Sequence, residues 1–328
     1  MRDLAALPKA HLHLHLEGAM RPGTLTELAE EAGIPVPEVR GYGSFGAFAD
    51  MYVATCDVLR SMDDLRRLVD EVVEDAALAG AVWVEPATYL PQHNDRLGPD
   101  EAVLEVLLDE LAAAGERHGI AAGLLLAADR TLDPRVALAQ ARIAVRYADD
   151  GVVAFGLHND EVGFPPEPFA DAFAVARKGG LLSAPHAGEL EGPAWVAGAL
   201  EALGADRIQH GIRVVEDPDL LARLADTDVC LDVCPTSNVM LGVVPTVAEH
   251  PLPTLLDAGV TCSLNADDPL LFGPGLLEEY ELVRAELGVD DDRLAAIARS
   301  SIVASGADDA HKADASRAVD AWLASPTS

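Results

Sequence analysis

The chain offers three histidines at alternate positions, His11-Leu-His13-Leu-His15-Leu. In a strand, period two puts the three imidazoles on one face and the leucines on the other. Residues two apart stand roughly 6.5–7 Å apart, so two imidazoles can converge on one metal ion through bonds of about 2.0–2.1 Å. His11 and His15, roughly 13 Å apart, cannot both share it with His13. His13 and His15 lie nearest the Glu17-Gly18 turn and are the expected pair, with His11 a deeper interior residue. Similar chemistry recurs at His186-Ala-Gly-Glu189, at His210-Gly211 and at Asn265-Ala-Asp267-Asp268-Pro269. Each alone is an ordinary strand-end His, a Gly turn or an Asp-Asp-Pro turn. Together with His13 and His15 they make one candidate centre. His13, His15, His186 and Asp267 supply nitrogen and oxygen ligands that suit Zn²⁺, with one position left for water.

Such residues must be brought together by the elements that carry them. Short apolar runs alternate with longer amphipathic stretches along the chain. The runs are 11–16, 82–87, 120–127, 152–157, 181–185, 207–210, 229–234 and 260–264, with helical patterns such as 101–118, 166–177 and 195–203 between them. Eight strand–helix units predict an α/β fold closed as a (β/α)8 TIM barrel, whose polar residues cluster at the C-terminal ends of the strands. A doubly wound open sheet would want a Gly-rich phosphate turn after the first strand, and there is none. The connection from about 21 to 80 is long enough for helices over 24–32, 45–59 and 62–78, expected as an insertion over the barrel mouth. Patterns over 276–287, 291–302 and 310–323 predict closing helices. Residues 1–328 are therefore expected to form a single domain.

Composition narrows the partners. The 328 residues include 55 Asp+Glu against 23 Lys+Arg, a formal charge of −32. Such a surface repels phosphate backbones and anionic headgroups, which argues against nucleic acid and membrane as partners and for a small-molecule substrate. No apolar run approaches a membrane span, and the N-terminal residues lack a signal peptide's apolar stretch. Four cysteines (Cys56, Cys230, Cys234, Cys262) make no disulfide framework, which predicts a cytoplasmic protein. Cys230 and Cys234 are expected to pack in the seventh strand.

The sequence resembles the adenosine deaminase family of the metal-dependent amidohydrolase barrels. The matching stretches are Leu7-Pro-Lys-Ala-His-Leu-His13-Leu-His15-Leu-Glu17-Gly18, His186-Ala-Gly-Glu189, Arg207-Ile-Gln-His210-Gly211, Cys234-Pro-Thr-Ser-Asn238 and Ser263-Leu-Asn-Ala-Asp267-Asp268-Pro269. The resemblance implies hydrolytic deamination of a 6-aminopurine, with Zn²⁺ on His13, His15, His186 and Asp267. It further implies Glu189 as the proton shuttle, His210 on the attacking water and Asp268 on the purine ring. Relatives with two metals bridge them through a modified lysine after the fourth strand. That strand here ends Gly156-Leu157-His158, and Lys9, Lys178 and Lys312 are the chain's three lysines, so one metal per chain is expected. The H-x-E and P-C-x-x-C signature of the cysteine-ligated zinc deaminases is absent.

Departures from the resemblance concern the substrate. Adenosine-specific members carry Asp at Glu17, where it reaches the ribose 5′-hydroxyl, while adenine-specific relatives tend to carry Glu. Asn159 stands where a glycine's backbone amide meets N3 in the nucleoside enzymes, yet Asp160-Glu161 keeps the second half of that motif. The usual Glu-x-Arg of the second strand is Glu85-Pro86-Ala87. Glu17 and Asn159 are therefore expected to bind substrate. The favoured substrate is adenosine or a 5′-modified adenosine such as aminodeoxyfutalosine, with adenine or another aminated base as the alternative. A different mononuclear metal hydrolase, or an inactive barrel, would use the same scaffold.

Overall fold

A computed structural model describes residues 1–326. β1 (Lys9–His15) is buried along its whole length and pairs in parallel with β2 (Ala81–Thr88). The sheet continues through β3 (Ala121–Ala122) and β4 (Leu124–Asp129), then β5 (Val152–His158) and β6 (Leu182–Ala187). It ends with β7 (Arg207–His210), β8 (Cys230–Val233) and β9 (Cys262–Leu264), every pairing parallel. Helices cross between consecutive strands, among them Asp100–His118, Pro134–Arg146 and Pro193–Glu201. A bridge between Leu14 and Asp267 joins the last strand region to the first, so the expected (β/α)8 barrel is what the chain forms. The third expected strand is interrupted at Gly123, where a Cβ would stand 2.7 Å from Val153 Cγ1. Cys234 falls just beyond β8 and precedes the helix Pro235–Met240; all four cysteines are free and buried.

Side chains divide by face as period two requires. Leu124, Leu126 and Ala128 join the large outer core beneath the helices, whereas Ala87, Leu125, Ala127, Ala154 and Ala184 form a separate small cluster. Polar residues complete the interior. Arg207, fully buried, donates to Glu85 at 2.5 Å and lies 3.3 Å from Asp232, while Ser263 donates to Asp232 at 2.7 Å. The altered second-strand motif thus still places Glu85 in an ion pair at the barrel centre.

The first strand departs from simple alternation. Its register against β2 shifts between His11 and Leu14, and Asn265 Oδ1 accepts from the N–H groups of both Leu12 and His13, at 2.7 and 3.1 Å. This bulge turns His11 away from its neighbours. It lines an outer crevice with Leu14, Met20 and Leu270, and its Nε2 accepts from the Ala266 N–H at 3.2 Å. The expectation that His11 shares the face of His13 and His15 is corrected by that extra residue.

Between β1 and β2 run α1 (Pro22–Ala32), α2 (Phe45–Cys56) and α3 (Met62–Leu78). α3 starts on a reciprocal cap, Ser61 accepting from the Asp64 N–H and Asp64 from that of Ser61. Its Leu65, Leu68, Val69, Val72, Val73 and Ala76 follow helical spacing and are buried. Asn265→Ala would leave two buried N–H groups at the bulge unpaired, at about 1–3 kcal/mol of stability. Urea unfolding should show that loss, and an unchanged midpoint would mean the bulge needs no clamp.

Candidate active site

The barrel strands deliver five ionisable side chains to one point because their C-terminal ends converge there. His13 and His15 leave β1, His186 leaves β6, His210 ends β7, and Asp267 follows β9. His13, His186, His210 and Asp267 each offer a ligand atom within 4.8 Å of the others, and His15, Asp267 and Asp268 form a second, overlapping group. Asp267 Oδ1 stands 3.2 Å from the Nε2 atoms of both His13 and His15. Ligand atoms on a tetrahedral ion at 2.0–2.1 Å lie about 3.3 Å apart, so these separations fit a metal of zinc's size.

Hydrogen bonds at the outer edges of the rings fix what faces inward. His13 Nδ1 lies 3.1 Å from the Asp232 carbonyl, and His186 Nδ1 lies 3.0 Å from that of Leu157. A carbonyl only accepts, so both rings carry hydrogen on Nδ1 and turn a lone pair of Nε2 inward. His13 Nε2 is buried without a hydrogen-bond partner. Asp267 Oδ2 is engaged by the Ser237 hydroxyl at 2.6 Å, which leaves Oδ1 for the centre. Burial opposes the Asp267 anion, but His13 and His15, whose Nε2 atoms stand beside its Oδ1, outweigh it and hold the carboxyl well below its ordinary range. The residues present fit one cation.

Two further carboxyls flank this group and are shifted in the opposite direction. Burial, then repulsion from Asp267 and Glu161, pushes Glu189 well above the usual carboxylate range. Burial followed by Asp267 does the same for Asp268. Glu189 Oε1 and Asp268 Oδ1 are buried without hydrogen-bond partners. His210 Nε2 stands 3.4 Å from Glu189 Oε1, and burial holds that imidazole neutral. Glu161 supports the Glu189 loop by accepting from the N–H groups of Glu189 and Glu191, at 3.1 and 2.8 Å, and faces the buried Arg130. Gly18 leaves the room Asp268 occupies: a Cβ there would sit 1.7 Å from Asp268 Oδ1.

The described residues other than glycine with positive φ are Asn159 (77°), His210 (64°) and Asp267 (60°). All three are at the site, each at a cost of order 1–3 kcal/mol that the surrounding bonds must offset.

A cavity of about 190 Å³ opens beside the cluster, lined from α2 by Phe45, Phe48 and Tyr52 and elsewhere by Tyr89, Gln92, Asp129, His158, Asn159 and Leu241. Asn159 lies at its wall, its Nδ2 donating to Asp129 at 2.8 Å. Glu17 is not among the lining residues. Its carboxylate accepts from Tyr52 (2.6 Å), Thr88 (2.7 Å) and His93 (2.7 Å) and is fully buried. Burial would raise its pKa, but His93, Tyr52 and Thr88 bring it down to about 2. Glu17 thus meets the cavity through Tyr52. The sequence pattern did not reveal Tyr52, His93, Arg130, Ser237 or His250. Ser237 and Asn238 lay within a quoted motif but had no assigned role, because their partners come from other strands.

The adenosine deaminase family profile matches residues 8–322. A Streptomyces virginiae protein provisionally named an adenosine/adenine deaminase is 45% identical over 337 residues, covering 98% of each chain. The crystal structure of adenine deaminase from Arthrobacter aurescens superposes with a TM-score of 0.91 at 32% identity, covering 97% of this chain and 99% of that one. An amidohydrolase structure from Burkholderia ambifaria, solved with bound Zn, gives 0.88 at 29% identity over 98% and 94%. Fold and site are those of the amidohydrolase barrel class, whose members are metal-dependent hydrolases. The chain belongs to the adenosine deaminase family, and it is an enzyme of the deaminase type acting on purines. Asp267→Ala, which deletes a carboxylate shared between two imidazoles, should lower the metal content of the purified protein towards zero. Elemental analysis returning wild-type stoichiometry would remove Asp267 from the ligand set.

Proposed function

We propose that this chain hydrolyses the 6-amino group of a purine to release ammonia, with a single Zn²⁺ held by His13, His15, His186 and Asp267. The observation that carries this reading is the pair of buried carboxyls, Glu189 and Asp268, each with an oxygen that has no hydrogen-bond partner, beside the metal-ligand group. Zn²⁺ there would bring the pKa of a bound water towards about 7, so that a nucleophile exists at neutral pH. Addition at C6 breaks ring aromaticity, and Glu189, kept protonated by burial, gives its proton to N1 to offset that cost. The Glu189 carboxylate then takes the proton of the new C6 hydroxyl and passes it to the departing amine, so that ammonia leaves and a carbonyl remains at C6. His210 orients the water from its other side. N7 of a purine only accepts, and Asp268 meets it as a donor because its carboxyl is protonated.

For the substrate, the compact reading is the free base. Support comes from Glu17, whose carboxylate is taken by Tyr52, Thr88 and His93 and so is withdrawn from a ribose hydroxyl. The aromatic wall of Phe45, Phe48 and Tyr52 suits a planar ring. The name of the Arthrobacter neighbour points the same way. A second reading, the nucleoside favoured from sequence, draws on the polar edge made by Gln92, Asp129 and Asn159, which can meet ribose hydroxyls. We read residues 1–328 as one catalytic domain, with α1–α3 as an insertion whose α2 walls the cavity.

The test is spectrophotometric turnover of adenine, adenosine and 5′-modified adenosines by zinc-loaded protein and by Glu189→Gln. Wild type should deaminate at least one, with adenine giving the highest kcat/KM. Glu189→Gln should lose about 10²–10⁴-fold in kcat while keeping its metal. No turnover of any aminopurine, or a Glu189→Gln enzyme of wild-type kcat, would overturn the reading. A higher kcat/KM for adenosine would put the nucleoside first.

A further inference from the structure

Three of the clustered imidazoles look alike in distance, yet their hydrogen bonds run in opposite directions. His13 and His186 each donate from Nδ1 to a backbone carbonyl and so present a lone pair inward. His210 has no carbonyl behind it. Its Nδ1 lies 3.2 Å from the Asn238 side-chain amide nitrogen, and the far end of that amide lies 3.1 Å from His250 Nε2. His250 is anchored in turn, because the Leu252 N–H donates to its Nδ1 at 3.1 Å.

The polarity of this chain follows from its fixed end. A backbone N–H only donates, so His250 Nδ1 carries no hydrogen and neutral His250 carries it on Nε2. His250 Nε2–H must then face an acceptor, which makes the near atom of Asn238 its oxygen. The other end is therefore NH₂, and it donates to His210 Nδ1. With Nδ1 accepting, the hydrogen of neutral His210 sits on Nε2, the atom directed at Glu189. Asn238, His250 and His210 are each at most 3% exposed, so bulk water does not compete for these bonds. The reverse arrangement would put two hydrogens between Asn238 and His210.

We propose that Asn238 and His250 are positioning residues that lock His210 as its Nε2–H tautomer. His210 then offers a hydrogen to the reacting water or to Glu189 Oε1, while His13 and His186 offer lone pairs to the ion. The same relay separates a proton-bearing histidine from the ligating ones where distance alone does not. Neither Asn238 nor His250 lines the cavity. The use made of that hydrogen rests on the deaminase reading; the tautomer does not.

The experiment is long-range ¹H–¹⁵N correlation on zinc-loaded protein labelled with ¹⁵N-histidine, His210 being assigned by the signals missing from His210→Gln. His210 should show a bare Nδ1 and a protonated Nε2, and His13 and His186 the reverse pattern. A protonated Nδ1 on His210 would overturn the lock, and this spectrum needs no variant of the relay to fold. His250→Phe removes the donor to Asn238, so the single His210 tautomer should be lost. Its kcat should fall about 10–100-fold, with KM within about threefold and zinc content unchanged. His250→Gln, whose amide N–H can reach Asn238, should restore the His210 pattern and most of kcat. A His250→Phe protein with the wild-type His210 spectrum and kcat would remove His250 from the relay. A wild-type spectrum of the expected form in a protein that deaminates no aminopurine would support the lock and overturn only the reaction assigned to it.

Discussion

Everything at the site depends on the way Asp267 closes the barrel. Its N–H donates to the His13 carbonyl and its carbonyl accepts from the His15 N–H, both at 3.0 Å. Its carboxylate, meanwhile, stands 3.2 Å from the imidazoles of those same two residues. One residue, held in the left-handed region, thus joins the first strand to the last through its backbone and brings three ligand atoms together through its side chain. The strain of that conformation is offset by two ladder bonds and the Ser237 hydroxyl. A loose seam would mean a loose ligand set.

Around this seam, burial sorts the carboxyl groups into two kinds. Asp267, among imidazoles, is held as the anion; Glu189 and Asp268, beside it in the same dry pocket, are pushed towards the neutral acid. The difference comes from neighbours and not from residue type, which is how adjacent aspartates can be shifted in opposite directions. Glu17 is a third case, fully buried yet held as the anion because His93, Tyr52 and Thr88 all donate to it.

How much of this was legible in the sequence follows from where each residue's partners lie. Strand periodicity and the count of strand–helix units fixed the barrel, because burial on one face and connection length are local properties. The clustering of His13, His15, His186, His210 and Asp267 followed once those residues were assigned to strand ends. His11 was misplaced because a single extra residue, clamped by Asn265 from the opposite end of the chain, reverses the alternation. Glu17 was legible as a special residue but not as one turned into protein, since Tyr52, Thr88 and His93 arrive from α2, β2 and the turn after it. Asn238 stood in a matching stretch without a role, and His250 stayed invisible, because only the assembled barrel puts a 12-residue loop closure behind His210.

The seam also sets an order of events for a chain made from its N-terminus. His13 and His15 are present early, but the partner that fixes their strand lies at the other end, with Leu12 and Asn265 separated by 253 residues. Closing so long a loop is entropically costly and is among the last contacts a barrel can make. Until then β1 has one free edge and the two imidazoles have no carboxylate between them. A cation arriving at that stage would find only half of the clustered ligand atoms, so tight binding there would require the last strand to have docked.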